Sequence, residues 1–155
     1  MIYCNYYQTD IGLIRIVEKD EAITQVSFAN SQALDIMIKE TALIKQTIQQ
    51  INEYLKGERK VFTIKIAPEG TAFQKEVWEQ LLKIPYGETK SYQWVATEIG
   101  NKKACRAVGM ANNRNPIVLL IPCHRVIGAN GKLVGYGGGL DIKQRLLNIE
   151  KQHLK

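Results

Sequence analysis

The sequence changes character at Pro68-Glu69-Gly70, and this change constrains the fold more than any other feature of the chain. Before it, short runs of β-forming residues alternate with turn signals. After it, apolar residues recur at helical spacing and basic residues accumulate. A segment with Pro and Gly at such a shift is typical of a break between domains. The sequence therefore predicts an α/β (α+β) protein with two domains, residues 1–68 and residues 69–155.

The N-terminal domain is predicted to be a small α/β domain built on a β-meander. Its strands are expected at three runs of β-forming residues, namely 2–4, 13–17 and 23–28. Cys4 is expected in the first of these strands. Helical spacing over residues 33–55 predicts one helix, which Gly57 would end. Residues 61–66 resemble one further strand.

The C-terminal domain is predicted to be mainly helical. Thr71 and Gln74 have the spacing of a capping box at the start of a first helix. Ser91 is a candidate N-cap for a second helix, which Gly100 would end. A third helix is predicted at roughly 102–113, and its inward face would contain Ala104, Ala107, Val108 and Ala111. Two short helices joined by a Gly-containing turn predict a helix-turn-helix.

Basic charge is concentrated in the C-terminal part of the chain. Residues 1–70 hold eight Lys or Arg against nine Asp or Glu, whereas residues 71–155 hold thirteen against six. No acidic residue lies between Glu98 and Asp141, and this stretch contains six basic ones: Lys102, Lys103, Arg106, Arg114, Arg125 and Lys132. Such a stretch is typical of a protein that binds a polyanion, although a solvated basic face gives the same pattern.

The outer face of the third helix favours one way of binding DNA. Arg106 lies about 200° around the helix from Ala104 and therefore projects outward. Its neighbours on that face are Lys102, Gly109 and Asn113. Small residues let a helix backbone approach a narrow groove, whereas a helix that reads major-groove base edges usually carries longer polar side chains. We therefore expect minor-groove binding, with tight helix packing as the alternative explanation for the small residues.

A candidate nucleophile follows these helices. Cys123 comes after the apolar run 117–121, which has the pattern of a buried strand. The next residue, His124, is a base that can take the thiol proton when a carboxylate orients its ring. The acids beyond Cys123 are Asp141 and Glu150, and an amphipathic final helix would bring Glu150 back to His124. On these grounds alone, Cys123 is either a nucleophile or a small core residue.

Four short motifs stand in order in the second half of the chain. They are Arg106-Ala107-Val108-Gly109, Asn115-Pro116, Pro122-Cys123-His124-Arg125-Val126 and Tyr136-Gly137-Gly138-Gly139-Leu140. Together they resemble the O6-alkylguanine-DNA alkyltransferases. The match is very specific over about residues 71–150, whereas residues 1–70 resemble the N-terminal α/β domain of that family more loosely. The resemblance implies direct DNA repair, in which one methyl or other alkyl group passes irreversibly from O6-alkylguanine to the thiol of Cys123.

The resemblance also implies a role for each catalytic residue. Cys123 matches the alkyl acceptor, and His124 matches the histidine that acts through water as its base. Glu150 matches the glutamate that holds this histidine. Tyr92 matches a tyrosine that helps to rotate the nucleotide and assists the departing base.

Further positions match residues that contact DNA or substrate in the family. Arg106 matches an arginine finger that enters the base stack, and Gln93 and Asn101 fall at positions that touch the DNA backbone. Lys102 joins them on the basic face. Asn115 matches an asparagine that braces the recognition helix against the active-site segment. The substrate pocket is expected to include Val126, Tyr136, Gly137 and Asn115.

Several positions depart from the pattern of the family. Gly137 stands where some members carry a serine, so the pocket would be larger and would accept bulkier alkyl groups or O4-alkylthymine. Trp94 stands where other side chains are usual and is interpreted as a packing residue rather than a base-stacking one. Cys105, beside Arg106, is interpreted as structural. The N-terminal zinc ligands of some relatives are not recognisable, since no histidine precedes His124.

Other features narrow the class of protein. No apolar run approaches the ~18 residues that would span a bilayer, and the N-terminus lacks a signal-peptide pattern. We therefore expect a cytoplasmic protein whose cysteines stay reduced. The three cysteines and two histidines lack metal-ligand spacing, so neither a metal nor another cofactor is expected. The expected partner is double-stranded DNA with alkylated bases, bound through its minor groove by a monomer.

Two other functions fit parts of the sequence. Relatives that replace the acceptor cysteine recognise damage without repairing it, and a helix-turn-helix also occurs in regulators, so a damage-recognition module is the first alternative. A Cys-His hydrolase is the second alternative, but it lacks an evident oxyanion arrangement and leaves the acid-free basic stretch unexplained. The presence of Cys123 favours repair over both.

Overall fold

The computed structural model describes residues 1–32, 35–136 and 138–154, which form two compact units. Unit 1 comprises Met1–Glu69 together with Pro116–Val118, and unit 2 comprises Gly70–Asn115 and Leu119–Lys155. The domain limits predicted from the sequence do not anticipate that Pro116–Val118 belongs to unit 1. The segment does so because the Val26 amide donates to the Pro116 carbonyl at 2.9 Å and the Val118 amide donates to the Val26 carbonyl at 3.0 Å.

Unit 1 contains a four-stranded sheet with the strand order β3-β2-β1-β4. Antiparallel pairing joins β1 to β2 and β2 to β3, while β4 pairs with β1 in parallel. The strands are β1 (Ile2–Thr9), β2 (Gly12–Lys19), β3 (Ala22–Phe28) and β4 (Met37–Ile38). The predicted meander is therefore confirmed, and Cys4 lies fully buried in β1.

One helix, α1 (Ala42–Leu55), packs against this sheet. It begins after Thr41, whose hydroxyl accepts a hydrogen bond from the Ile44 amide and so caps the helix. Gly57 follows the helix with a φ of 78°, so the predicted helix end is confirmed. The buried side chains of α1 include an apolar stripe that faces the core: Ile44, Ile48, Ile51 and Tyr54.

The helix predicted over residues 33–55 is wrong in its first part. The helix begins at Ala42, and Met37–Ile38 instead form β4, paired with Tyr3 and Cys4 of β1. Pairing with a distant strand outweighs the local helical spacing here. Residues 33 and 34 lie outside the described part of the chain.

The strand predicted at residues 61–66 is also absent from the described structure. Within this run only Ile66 forms a bridge, which pairs it with Ile23. The side chain of Gln50 supplies the reason, because its amide accepts from the Thr63 backbone N–H at 2.9 Å and donates to the Thr63 hydroxyl at 2.7 Å. These bonds occupy the backbone group that a neighbouring strand would need.

Unit 2 is mainly helical, and α2, α3 and α4 pack against one another. Its elements are α2 (Ala72–Leu81), β5 (Lys90–Ser91), α3 (Tyr92–Glu98), α4 (Cys105–Asn113), β6 (Val126–Ile127) and α5 (Leu140–Gln152). The predicted caps at Thr71 and Ser91 are confirmed, and Gly100 follows α3 with a φ of 79°. In the described part of the chain, no helix is both long enough and apolar enough to cross a membrane.

Helix α4 is shorter than predicted, and one of its faces differs. It begins at Cys105, with Ala104 as an N-cap that makes no side-chain capping bond. Its buried side chains are Val108, Ala111 and Asn112. The predicted inward position of Ala107 is wrong, since this residue is exposed. Packing centred on Val108 and Asn112 turns the helix so that Ala107 faces solvent.

The apolar run 117–121 is buried as predicted, but it is not a regular strand. Ile117 makes a single bridge to Val26, and Leu119 has a φ of 72°, which interrupts the extended backbone. The chain then forms a one-turn 3-10 helix, Cys123–Arg125, which we call the Cys123 turn. Cys123 is thus held by a tight turn rather than by the end of a strand.

Candidate active site

Hydrogen bonds to backbone carbonyls fix the Cys123 turn. Nδ2 of Asn115 donates to the Ile121 carbonyl at 2.8 Å, and Nδ2 of Asn112 donates to the Cys123 carbonyl at 3.4 Å. Since a buried carbonyl without a partner is costly, these two amides stabilise the turn and fix its orientation. Cys123 is only 4% exposed, so the thiol is almost enclosed by protein.

Helix α5 brings a carboxylate to the histidine beside the thiol. Nε2 of His124 lies 2.6 Å from Oε2 of Glu150, and these side chains are 0% and 1% exposed. An ionised Glu150 only accepts hydrogen bonds, so Nε2 carries the proton in the neutral ring and Nδ1 is the basic nitrogen. The structure therefore joins the two residues that the sequence analysis paired.

Arg125 completes this buried cluster. Its guanidinium donates to Oε1 of Glu150 at 2.9 Å, to Oε2 at 3.0 and 3.1 Å, and to the Ile84 carbonyl at 2.8 Å. The Gly87 amide also donates to Oε1 of Glu150 at 2.9 Å. Arg125 is 7% exposed, so it does not belong to the basic surface with which the charge pattern grouped it. The available signal was its position between the apolar run 117–121 and Val126, which indicates burial, and a buried arginine needs a paired acid.

Burial and pairing set the protonation of this cluster. Burial alone would raise the pKa of Glu150, but the bonds and charges of His124 and Arg125 outweigh burial and lower that pKa to about 2. Burial lowers the pKa of His124 more than Glu150 raises it. At neutral pH the pair is therefore a carboxylate and a neutral imidazole, which is the form that can accept a proton.

The Cys123 thiol holds its proton at neutral pH. Burial raises its pKa to about 11, while a hydrogen bond from Asn115 and the charge of Lys143 act in the opposite direction. Because the thiolate is the nucleophilic form of cysteine, reaction at this position requires a base. His124 is the adjacent group that can act as one.

Two tyrosines lie within electrostatic reach of the thiol. Burial raises the pKa of Tyr92, and the charges of Cys123 and Cys105 raise it further. Burial also raises the pKa of Tyr136 well above its ordinary value, again with a contribution from Cys123. Both hydroxyls therefore stay protonated and can donate hydrogen bonds. The pairing of β5 with β6 places Tyr92 here, because Ser91 pairs with Ile127 just after the Cys123 turn.

Tyr92 also lines an exposed groove of about 810 Å³. Its hydroxyl donates to the Val134 carbonyl at 3.1 Å, and a Cβ added at Gly109 would lie 3.9 Å from its ring. Arg106 projects from α4 into the same groove and is exposed. The structure thus places Tyr92 and Arg106 on one surface. The full lining is Tyr92, Lys103, Cys105, Arg106, Gly109, Asn113, Val134 and Gly135.

The other predicted DNA contacts lie around the connection between α3 and α4. Gln93, Asn101 and Lys102 are all exposed. Nε2 of Gln93 donates to the backbone carbonyl of Lys102 at 3.1 Å, which ties the first turn of α3 to the segment before α4. The contact of these three side chains with DNA stays a prediction.

The structure describes three of the four predicted pocket residues. Val126 is fully buried in β6, directly after the Cys123 turn, and Tyr136 is half-buried. Asn115 reaches the backbone just before Cys123. Gly137 lies outside the described residues. Within residues 1–32, 35–136 and 138–154, no group of three or more His, Cys, Asp or Glu side chains could hold a metal ion.

Lys143 is a further candidate that the sequence analysis missed. It lies on α5 with 0% exposure, and its Nζ donates to the carbonyls of Val126 at 2.7 Å and Val134 at 2.8 Å. Burial lowers its pKa to about 8. The signal was its spacing, because Lys143 stands three residues before Leu146 and seven before Glu150, on the inward face of the helix.

Both halves of this chain match models of one known protein family. Residues 72–152 match the family model described as 6-O-methylguanine DNA methyltransferase, DNA binding domain, and residues 2–68 match the ribonuclease-like domain of the same methyltransferase. The methylated-DNA–protein-cysteine methyltransferase of Methanosarcina acetivorans is 47% identical over 96% of this chain and 98% of its own length. The protein of the same name from Methanosarcina barkeri is 42% identical over 99% of this chain and 100% of its own length.

Solved structures agree with these matches. The crystal structure of Mycobacterium tuberculosis OGT in complex with DNA is similar with a TM-score of 0.91 and 39% identity, over 97% of this chain and 94% of that one. The matched models cover most of the sequence, and the Methanosarcina acetivorans relative is similar over almost its whole length. The chain therefore belongs to the 6-O-methylguanine DNA methyltransferase family.

Proposed function

We propose that this chain repairs DNA directly, by moving the alkyl group of O6-alkylguanine to its own Cys123. The observation that carries the proposal is the buried thiol beside the hydrogen-bonded pair of His124 and Glu150. Its relatives support the substrate class, because they are named methylated-DNA–protein-cysteine methyltransferases. The chain is accordingly a methyltransferase whose acceptor is part of itself.

The transfer begins with the thiol proton. His124 takes this proton through a water molecule at Nδ1, while Glu150 holds Nε2. The thiolate then attacks the alkyl carbon in line with the bond from that carbon to O6. The S–C bond forms, the C–O bond breaks, and the electron pair of the broken bond stays on the guanine. Because Glu150 stays ionised, it stabilises the imidazolium that results.

Tyr92 supplies the proton for the departing base. Its raised pKa keeps the hydroxyl protonated, so it can neutralise the negative charge that develops on guanine. The proton held by His124 then replaces the one that Tyr92 donated, and the thiol proton ends, in net terms, on the guanine. The Tyr92 hydroxyl donates to the Val134 carbonyl at 3.1 Å. Substrate binding must exchange that bond for one to the base.

The damaged base must leave the duplex before it can reach Cys123. Extrusion of a base costs a few kcal/mol, and a side chain that fills the gap offsets part of this cost. Arg106, exposed in the groove that Tyr92 lines, fills that role. We propose that α3 and α4 act as a helix-turn-helix in the minor groove. Gln93, Asn101 and Lys102 then contact the phosphate backbone.

The extruded base enters a pocket beside the thiol. Val126 and Asn115 are proposed to line it because Val126 directly follows the Cys123 turn and Asn115 donates to the carbonyl of Ile121 just before that turn. Tyr136 is proposed to line it because its pKa responds to the charge of Cys123. The sequence places Gly137 next to Tyr136, and a residue without a side chain leaves room. Larger O6-alkyl groups and O4-alkylthymine are therefore proposed as additional substrates.

The reaction consumes the protein. The product is a thioether, and the base that activates a thiol offers no route to break a C–S bond, so each molecule reacts once. No cofactor is needed, because the nucleophile belongs to the chain. The three cysteines are free thiols, which fits the reducing cytoplasm that we propose as its compartment. We also propose that the protein acts as a monomer.

The decisive experiment follows a label from DNA to protein. Stoichiometric protein is incubated with duplex DNA that carries O6-methylguanine with a tritiated methyl group, and the label is located after proteolysis. We expect the label on the Cys123 peptide, saturating at one methyl group per chain. Cys123→Ser should carry none. Cys105→Ser removes a different thiol and keeps Cys123, so it should still accept one methyl group per chain, on the Cys123 peptide.

Two outcomes would contradict the proposal. Repeated turnover, with the label released to solvent, would indicate a hydrolase. Tight binding of methylated DNA by wild-type protein without transfer of the label would indicate a damage-recognition module.

A further inference from the structure

We propose that Met110 is a second side chain that α4 inserts into DNA, as an apolar wedge that opens a base step near the alkylated nucleotide. The wedge makes the rate of repair depend on the sequence that flanks the lesion. This role rests on the proposed function and on the proposed placement of α4 in the minor groove. Met110 touches no reacting atom, so it is a positioning residue that acts through the DNA.

Met110 is a large apolar side chain at the surface of α4, with 56% of its area exposed. Among the side chains of α4, all of which the structure describes, it is the one large apolar group that is exposed. A single exposed apolar residue is ordinary on a protein surface. Its place on the helix is what gives Met110 a role.

Met110 stands beside Arg106 on the crest of the exposed face of α4. Four residues separate them, so they differ by about 40° around the helix and by about 6 Å along it. Gly109 lines the groove that Tyr92 also lines, on one flank of this crest. Ala107 lines a smaller groove of about 200 Å³ on the other flank. Any surface that Arg106 enters from this crest therefore meets Met110 as well.

The crest continues to a second arginine. Arg114 stands four residues beyond Met110 and is exposed, as Arg106 is. Residues 99–140 contain no Asp or Glu, so no acid of this stretch opposes the two cations. The crest thus presents one apolar group between two positive charges. Duplex DNA has the complementary pattern, because phosphates border the minor groove on both sides and uncharged bases lie between them.

The minor groove offers an apolar side chain one favourable place. The base edges there carry hydrogen-bonding groups that a methionine cannot satisfy. Between two base pairs it contacts their flat faces instead, and apolar wedges of this kind partly unstack a step and kink the duplex. The flexible, unbranched side chain of methionine suits such a gap. With α4 along the groove, a separation of about 6 Å places the opened step about two base pairs from the site of Arg106.

A wedge at this position gives the protein a preference for flanking sequence. Pyrimidine–purine steps such as TA unstack easily, whereas other steps resist. An opened step also weakens stacking near the damaged base, which lowers the cost of extruding that base. Repair should therefore be faster where the step that Met110 meets is easily opened.

Three variants separate the wedge from the rest of the surface. Met110→Ala removes it, and Met110→Leu keeps an apolar group of similar volume. Met37→Ala removes another exposed methionine, on β4, and is the matched control. Thermal unfolding should change little for each variant, because both methionines are exposed.

Unstacking is measured with 2-aminopurine, a base whose fluorescence rises when it leaves the stack. The probe is placed at successive positions on both sides of O6-methylguanine, and each duplex is bound by protein that carries Cys123→Ser, so that no transfer occurs. We expect emission to rise at a step about two base pairs from the lesion. In the same background, Met110→Ala should abolish this rise, whereas Met110→Leu and Met37→Ala should keep it.

The second measurement is the single-turnover rate of repair on duplexes that carry either TA or AT at that step. Both steps present the same acceptors in the minor groove, so a difference between them reports the ease of unstacking. We expect wild-type protein to repair the TA duplex about tenfold faster. Met110→Ala should lose most of this preference, and Met110→Leu should keep it. The preference should vanish on single-stranded DNA, which has no paired step to open.

Three results would overturn the inference. The first is unstacking at the flanking step that persists in Met110→Ala. The second is a wild-type rate that is equal on the TA and AT duplexes. The third is a Met110→Ala variant that repairs both duplexes faster than the wild type, since the methionine would then obstruct the groove.

Failure of the proposed function would appear in a different measurement. A wild-type protein that takes no methyl group from DNA would contradict that function, whereas the fluorescence scan would still test Met110, because the Cys123→Ser complex needs no transfer. Transfer to Cys123 without unstacking at the flanking step would leave repair in place and remove the wedge.

Discussion

Helices α4 and α5 place their charged side chains in opposite ways. Helix α5 buries Glu150 and Lys143, and each has defined protein partners. Helix α4 exposes Arg106 in an open groove, next to small residues. Loss of a buried charge leaves its partners unpaired, so α5 is expected to control stability and chemistry. An exposed charge acts when a polyanion arrives and is screened by salt, so α4 is expected to control encounter with DNA.

Glu150→Gln is the strongest test of the role of the buried charges on α5. This change leaves the Arg125 guanidinium in the interior without its counter-charge, and it weakens the bond that orients His124. We expect the free energy of unfolding to fall by about 3–5 kcal/mol, measured by urea denaturation. Glu79→Gln, at an exposed site on α2, should change it by no more than about 0.5 kcal/mol. Equal effects of the two variants would remove the distinction between buried and exposed charge.

Low pH should remove the contribution of the Glu150 carboxylate to the stability of the wild-type protein. The pKa of Glu150 is lowered from 4.5 to about 2, so its contribution to stability is fully present above pH 4.5 and is lost as pH falls toward 2. The difference between these pKa values corresponds to about 3 kcal/mol. Urea denaturation in steps from pH 6 to pH 2.5 should therefore show the wild type converging on Glu150→Gln. Parallel pH curves for the two proteins would show that Glu150 is not the group responsible.

The distance along the chain between interacting residues explains which features of the fold and the site could be predicted from the sequence. The caps at Thr71 and Ser91 were predictable because the bonds that form them span only three residues. The approach of Glu150 to His124 was predictable because a helix fixes which residues share a face. Strand β4 was not predictable, since its pairing with β1 depends on residues more than thirty positions away. Local spacing contains no information about such a partner.

The sequence predicted the candidate site least well at two basic residues that are buried. Arg125 and Lys143 are residues that usually lie at the surface, and the charge pattern placed Arg125 among the DNA-binding groups. Both are buried because specific acceptors surround them: the Glu150 carboxylate for one and two backbone carbonyls for the other. Only the fold brings those acceptors together. Cys123 could be identified from the sequence because it belongs to a short motif. Glu150 could be identified because the helical spacing of the last helix places it on the inward face.

Arg106→Ala, which removes the exposed charge on α4, should slow repair without affecting the stability of the protein. If Arg106 fills the gap left by the extruded base, its loss should lower the single-turnover rate on duplex DNA about 10- to 100-fold, within the few kcal/mol that extrusion costs. The rate on a single-stranded oligonucleotide should change much less, because that base needs no extrusion. Arg145→Ala, an exposed arginine on α5, is the matched control. Equal losses on both substrates would assign Arg106 to binding or chemistry instead.

Lys102→Ala should have the smallest effect of these variants. It tests the contribution of a single exposed charge to DNA affinity. Gln93 bonds the backbone carbonyl of Lys102 rather than its side chain, so the connection between α3 and α4 should survive the change. We expect weaker binding to every DNA sequence, and a plot of log affinity against log salt concentration whose slope is smaller by about 1. Lys45→Ala, at an exposed site on α1, should leave that slope unchanged. A loss of affinity that depended on DNA sequence would mean that Lys102 reads bases, and α4 would then do more than meet the phosphate backbone.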